Sequence, residues 1–340
     1  MTALRPANNF DVLRLIAAVA VFISHSVPLS YPAYEHRPEF LIVTSNGQAT
    51  LGSVSLTIFF VISGYLVTQS YDRRRNARIF LMGRALRILP ALAVMLFLTV
   101  FVFAPLVSTL PFQDYFLDHQ TYRYFLTNIS LVDFAARLPG VFTDNPFPAA
   151  VNGSLWTLPF EVRCYAAVLL LGSLRLLNRA TTLALVACGC LLMRLWMFMP
   201  VVEYYTCFAA GAALHFCNLP RSRAAAAICA ALLLAALVTG GFRIVGSTLG
   251  AYLIIYLATA PAPRLLDTGK LGDLSYGIYI WAFPIQQWVA SLLAERSTWY
   301  LNLLVSLPLV CVASLLSWHL VEAPMLRLKR PAPRKVATTA

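Results

Sequence analysis

The sequence predicts an all-α, polytopic transmembrane bundle of about ten spans, and three observations carry that prediction. The 340-residue chain is 59% hydrophobic and only 12% charged, against about 25% charged for a soluble domain. Its polar surface is too scarce to cover a body of this size in water. Apolar stretches run unbroken for about 20 residues, the length a helix needs to cross a bilayer with its backbone satisfied internally. Charge is also sorted, because most of the 26 basic residues fall in alternate loops. A spanning β-barrel would alternate polar and apolar residues in segments of about ten, and these runs do not.

Taken in order, the candidate spans are 12–30, 51–70, 86–107, 155–175, 181–199, 201–218, 224–241, 246–261, 272–293 and 300–322. Pro28, Pro32, Pro105, Pro200, Pro220, Pro261 and Pro263 fall at or near their ends, where a missing N–H does least harm. The apolar stretch 15–23 follows Arg5 and Arg14 as in a signal peptide. No small-x-small cleavage site precedes Pro28, so a retained first helix is expected. One long connection, 108–153, has a length that points to function or to short helices of its own. With no repeat and no linker, the expected organisation is one membrane domain, 1–325, followed by a basic tail, 326–340.

Orientation follows from Lys and Arg, which accumulate on the cytoplasmic side. A cytoplasmic N-terminus puts Arg5, Arg14, Arg73, Arg74, Arg75, Arg78, Arg84 and Arg87 inside. It also puts Arg175, Arg179, Arg221, Arg223, Arg264, Lys270 and the basic C-terminal residues there. Ten spans then leave both termini in the cytoplasm. The net charge of +12 is accounted for by this asymmetry, and no nucleic-acid partner is expected. The seven cysteines lie mostly in apolar segments, and Cys188-x-Cys190 lacks zinc spacing. They read as small buried side chains, and no metal is expected.

Ionisable groups inside a span are costly and therefore mark function first. His25 follows Arg14 by eleven residues, which is close to three full turns, so both point the same way about 16 Å apart along the axis. Asp11 shares that face. Glu161 opens the fourth span at a depth expected near that of His25, with Tyr165 one turn further on, and Arg163 is a candidate ion-pair partner elsewhere in the bundle. Arg84-x-x-Arg87, at the expected start of the third span, places two guanidinium forks on one face, a geometry suited to phosphate or diphosphate. Against these stand structural readings: a histidine or carboxylate that only fixes packing, and arginines that only set topology. His319 and Glu322, three residues apart near the inner end of the last span, can snorkel to the interface. His215 reads as interfacial, and His36 and His119 carry no specific signal.

Six segments in order resemble the bacterial membrane-bound acyltransferase family 3. Asn9-Phe-Asp-Val-Leu-Arg14 through His25 is similar to its first helix, and Phe59-Phe-Val-Ile-Ser-Gly64-Tyr65-Leu66 to its second. Arg84-Ala-Leu-Arg87-Ile-Leu-Pro90 resembles its Arg-x-x-Arg segment, and Ser154-Leu-Trp156-Thr-Leu-Pro-Phe-Glu161 its Ser-Leu-Trp signature. Leu274-Ser-Tyr276-Gly-Ile-Tyr279-Ile-Trp281 and Val321-Glu322-x-Pro324 resemble its last two helices. Many members carry a histidine where this chain has Ala282, so a role for that histidine does not transfer.

The resemblance implies a multi-pass protein of the bacterial inner membrane that moves an acyl group, acetyl in the usual case, from cytoplasmic acyl-CoA to a hydroxyl of a glycan or glycolipid. It implies His25 as the base, with Glu161 beside it fixing the tautomer. Arg14, Arg84 and Arg87 are implied to hold the donor's phosphates, and Asp11, Trp156 and Tyr165 to meet substrate. Desolvation favours the neutral imidazole, the form a base needs. A glycan or lipid transporter, or a flippase, shares the bundle and the charge bias but would show paired halves with broken helices, which the sequence does not display. A sensor or scaffold would leave His25 and the arginines incidental.

Overall fold

The computed structural model describes residues 9–31, 35, 38–148, 150–195, 200–217, 219, 222–259 and 272–328. The basic tail beyond 328, Arg5, Arg221, Arg264, Lys270, His36, Pro32, Pro220, Pro261 and Pro263 lie outside the described residues. Among the described residues there is no strand. Ten long helices follow one another: α1 Phe10–Ser30, α2 Leu51–Arg74, α3 Ala77–Val107, α4 Gly153–Ser173, α5 Arg179–Leu195, α6 Pro200–Phe216, α7 Arg223–Thr239, α8 Phe242–Thr259, α9 Ser275–Leu293 and α10 Trp299–Arg327. They coincide with the ten apolar stretches to within a few residues, except that α3 begins nine residues before its expected start. Asn76 caps it there, its Oδ1 accepting from the Ile79 amide at 3.0 Å. Arg84 and Arg87 therefore sit two to three turns inside the helix rather than at its start.

Six helices, α1, α2, α3, α4, α8 and α10, are long and apolar enough to cross a membrane. The other four fall short for identifiable reasons. α5, α6 and α7 have 17 residues each, and α9 carries the fully buried Gln286 and Gln287. Large apolar side chains such as Leu170, Leu191, Ile228, Leu234 and Leu304 are exposed along the sides of the bundle, as expected of a lipid-facing surface. Cys188 and Cys311 are exposed as well, so the expectation that every cysteine is buried fails. A thiol is apolar enough to face lipid as readily as core.

α1 is central, packed against α2, α9 and α10. α2 packs most closely on α6, and glycine is the reason. A Cβ on Gly64 would run into the Phe208 carbonyl, and one on Gly211 into the Val61 carbonyl. Small residues let the two backbones touch, which is how helices associate where lipid removes the hydrophobic incentive. The long connection does hold helices of its own, Phe112–Leu117 and His119–Ser130. They are fastened to α3 by the buried Tyr115, which donates to the Val100 carbonyl at 2.8 Å. Three π-type segments, Leu98–Phe103, Gly246–Gly250 and Ser317–Glu322, interrupt α3, α8 and α10.

Candidate active site

A cavity of about 500 Å³ opens between α1, α2, α3 and α4, closed by the start of α9 and the last turns of α10. The end nearest the Arg73–Arg75 loop is ionic. Asp273, just ahead of α9, receives Arg14 Nη1 at 3.1 Å and Arg87 Nη2 at 2.5 Å on the same oxygen. Its other oxygen accepts from the Ser275 amide at 3.2 Å and the Ser275 hydroxyl at 2.5 Å. Arg87 also lies 3.6 Å from the buried Glu322, which accepts from Ser317 at 2.9 Å. Asp273 thus ties α1, α3 and α9 together, and Arg87 brings in α10.

Arg84 differs from its neighbours. Its guanidinium lies over the Tyr165 ring, 5.8 Å from the centroid, and its buried Nε has no hydrogen-bond partner. A buried donor left unpaired is costly. A ligand oxygen at the ionic end would relieve that cost.

Further in, the arginines give way to hydroxyls, apolar side chains and one carboxylate. The Glu161 carboxylate accepts from the Tyr165 hydroxyl and from Ser63 Oγ, the latter at 3.1 Å. Tyr165 follows Glu161 by one helical turn, as its spacing requires, whereas Ser63 comes from α2. The entry to α4 is a 3₁₀ turn, Gly153–Thr157, held from both sides. Asn152 Oδ1 accepts from the Ser154 amide at 3.1 Å, and Asn152 Nδ2 donates to the Ile280 carbonyl at 2.9 Å. Tyr279 donates to the Ser154 carbonyl at 2.6 Å. Its single proton is thereby used, so Thr157 donates in the 2.5 Å contact with the Tyr279 oxygen.

The cavity wall includes Asp11, Arg14, Arg84, Arg87, Glu161 and Tyr165. It leaves out His25 and Trp156. The His25 ring packs edge-on against Phe283, centroids 5.1 Å apart, and its Nδ1 is buried without a partner. The expected Glu161–His25 contact does not form, and the reason is depth. Phe283 meets both His25 and Gly153, where an added Cβ would stand 2.6 Å from the ring. His25 is therefore level with Gly153, and Glu161 lies eight residues further along the chain, about 14 Å with a rise of about 2.0 Å per residue over the 3₁₀ turn and about 1.5 Å beyond it. Tyr279, in the wall, is one turn from Phe283, so His25 stands about 6 Å beyond the cavity's inner end. Trp156 turns away on the 3₁₀ segment to pack on Phe160 and Tyr204, at 5.7 and 6.0 Å.

Two other expectations change. Arg163 donates to the Val132 carbonyl at 2.9 Å and covers the Phe160 ring instead of pairing with a carboxylate. His319 is exposed while Glu322 is buried. The π-type segment that holds both widens the turn, so residues three apart no longer share a face. His215 is partnered, its Nε2 lying 3.2 Å from Asp72. Asp273, Ser63 and Tyr279 emerge only from the packing. Asp273 had a faint signal, an acidic residue two ahead of Ser275 at a helix start.

The cavity accordingly offers a cationic rim with one unsatisfied guanidinium donor, a hydroxyl-lined throat that holds the Glu161 carboxylate, and a histidine with an unpartnered ring nitrogen one turn beyond it. Comparison with known proteins agrees with an acyl-transfer site. The O-acetyl transferase of Shigella phage Sf6 is 30% identical, the alignment covering 96% of this chain and 98% of that protein. Nodulation protein 10 of Rhizobium leguminosarum bv. viciae is 29% identical, over 95% of this chain and 94% of that one. No solved structure matches. Residues 8–322, nearly the whole chain, match the family model described as an acyltransferase domain, and the protein belongs to acyltransferase family 3.

Proposed function

We propose that this acyltransferase is a multi-pass O-acetyltransferase of the bacterial inner membrane, taking its acyl group from cytoplasmic acyl-CoA and placing it on a hydroxyl of a glycan or glycolipid. The observation that carries the reading is Arg84, an unpartnered buried donor at the ionic end of a cavity whose deeper wall is mostly apolar and hydroxyl-bearing. A diphosphate suits that end, and a flexible, weakly polar arm suits the throat. Arg14 and Arg87 are already committed to Asp273, so they frame the phosphate position and Arg84 supplies the open contact. The O-acetyl group is the one named for the phage relative.

In this reading His25 takes the proton of the acceptor hydroxyl as its oxygen attacks the thioester carbonyl. The carbon–sulfur bond then breaks, and the thiol leaves with the proton returned by the imidazole. Its Nδ1 has no partner, and in the Nε2–H tautomer it offers the lone pair such a step needs. Glu161 holds the Tyr165 and Ser63 hydroxyls in place along the donor's path, a positioning role. Asp11 meets the donor at the cavity mouth, and Trp156 supports the 3₁₀ turn from behind. All ten helices span, both termini and the Arg73–Arg75 loop are cytoplasmic, and residues 1–325 form the membrane domain with 326–340 as its basic tail.

Surface glycan from a deletion strain should lose an O-acetyl group, by mass spectrometry, and regain it on complementation. Unchanged acetylation together with impaired glycan export would instead favour a transporter. Cysteine probes should be labelled from outside near residue 118 and not at 75, and the reverse pattern would invert the topology.

A further inference from the structure

At the end of the bundle opposite the arginines lies a second cleft, of about 1060 Å³, between the ends of α1 and α9, the start of α10 and the 142–148 loop. Two serines in its lining, Ser30 and Ser297, are only 3% and 7% exposed, and the hydroxyl of each is buried with no hydrogen-bond partner. Such hydroxyls are paired in most folded proteins. Three carboxylates stand exposed in its lining, Glu35, Asp144 on the loop and Glu295 after α9, and among the described residues no basic side chain lines it. The wall is prebuilt. Asn145 donates to the Gln287 carbonyl at 2.8 Å, and the fully buried Gln287 donates to the Phe147 and Ala150 carbonyls at 2.8 and 2.7 Å.

We propose that this cleft seats the acyl acceptor, and that it selects a neutral or amino-bearing polyhydroxyl segment over an anionic one; this rests on the acyltransferase reading above. Ionised carboxylates only accept hydrogen bonds, and a sugar's hydroxyls supply the donors. The buried serines give and accept in turn. A sulfated, phosphorylated or uronic-acid segment meets like charge at the rim instead. Position fits the chemistry too. Ser30 is five residues beyond His25 on α1, about 7.5 Å of rise, and the cluster of Leu29, Ala150 and Phe283 lies between the cleft and the histidine. Acceptor and donor then approach His25 from opposite ends of the bundle.

The test uses purified full-length protein, acetyl-CoA, and the unacetylated surface glycan isolated from a deletion strain. Asp144→Arg and Glu295→Arg should each raise the acceptor KM at least tenfold while donor KM and kcat stay within twofold. The size-preserving Asp144→Asn and Glu295→Gln should raise it less, and they keep the test open if a reversal variant fails to fold. An acceptor KM unchanged in all folded variants would overturn the assignment. So would efficient acetylation of a glycan carrying a carboxylate or phosphate in its repeating unit. If the deletion strain's glycan has lost no acetyl group, the acyltransferase reading itself falls, and this proposal with it, before any variant is made.

Discussion

The two ends of this bundle handle buried polarity differently. At the arginine end the groups are charged and cross-linked: one Asp273 oxygen is shared by two guanidiniums, and Arg87 reaches on to Glu322. Toward the far end the groups that α9 and α10 bury are neutral and bond from side chain to backbone, whereas the buried carboxylates there pair locally, Glu39 with Ser24 and the Leu51 amide, and Glu203 with Arg243. Gln286 donates to the Phe22 carbonyl at 3.0 Å, and Asn302 to the Gln286 carbonyl at 3.0 Å. His25 stands there with a ring nitrogen free. A charge network is unforgiving, because removing one member leaves an uncompensated charge. A neutral network tolerates an idle group, and a catalytic base must be idle until substrate arrives. In the proposed reaction, donor binding falls to the charged end and chemistry toward the other.

The sharpest way to break that contrast is His25→Gln. The variant keeps hydrogen-bonding ability and loses the base, so acyl transfer should fall by about 10²–10⁴-fold with donor affinity and thermal stability unchanged. A matching drop in stability would make His25 a packing residue. Asp273→Asn tests the charged end. It leaves Arg14 and Arg87 facing each other and should cost about 3–5 kcal/mol, read as a lowered midpoint of unfolding in detergent. A second substitution, Arg14→Met, should recover part of that loss, and no recovery would mean the two arginines do not share Asp273 in solution.

Arg84 is the charged residue that the network leaves out, so its removal should spare stability and weaken the donor. Arg84→Ala should reduce acyl-CoA affinity about 10- to 100-fold, the range of a hydrogen bond to a charged group. Arg84→Lys should recover only part, since the planar fork is lost; calorimetry on purified variants measures both. The smallest effect is expected at the junction of the two ends. Gly153→Ala pushes on Phe283 and should cost about 1–3 kcal/mol, the usual range for overpacking. If Phe283 yields toward His25, transfer falls more than stability does, and equal losses would uncouple the two.

Much of the architecture was legible because each element carries its own signal. The Thr50–Ser53 capping box, the apolar run that follows it and Arg73–Arg75 delimit α2 from local chemistry alone. The Asn76 cap was the exception: basic residues up to Arg87 masked the first turns of α3, since hydropathy reads a charged helix start as loop. That Arg84 pairs with Arg87 and Glu161 with Tyr165 was legible because each spacing lies within one helix, and all four line the cavity. The Glu161–His25 contact was misjudged because position along a helix does not give its depth against another, and because α4 enters through a 3₁₀ turn that shifts its rise.

Hydropathy and charge settle that the chain is a helical membrane protein, since a helix satisfies its backbone within itself and lipid tolerates only such segments. Motif order settles the family. The partners of the arginines are another matter. Asp273 is 259 residues from Arg14 and 186 from Arg87, and which guanidinium stays open depends on where the start of α9 docks between α1 and α3. That docking is a packing outcome, with Gly153 against Phe283 and Gly277 against Ser314 letting α9 close on its neighbours, and no local pattern in the chain encodes it.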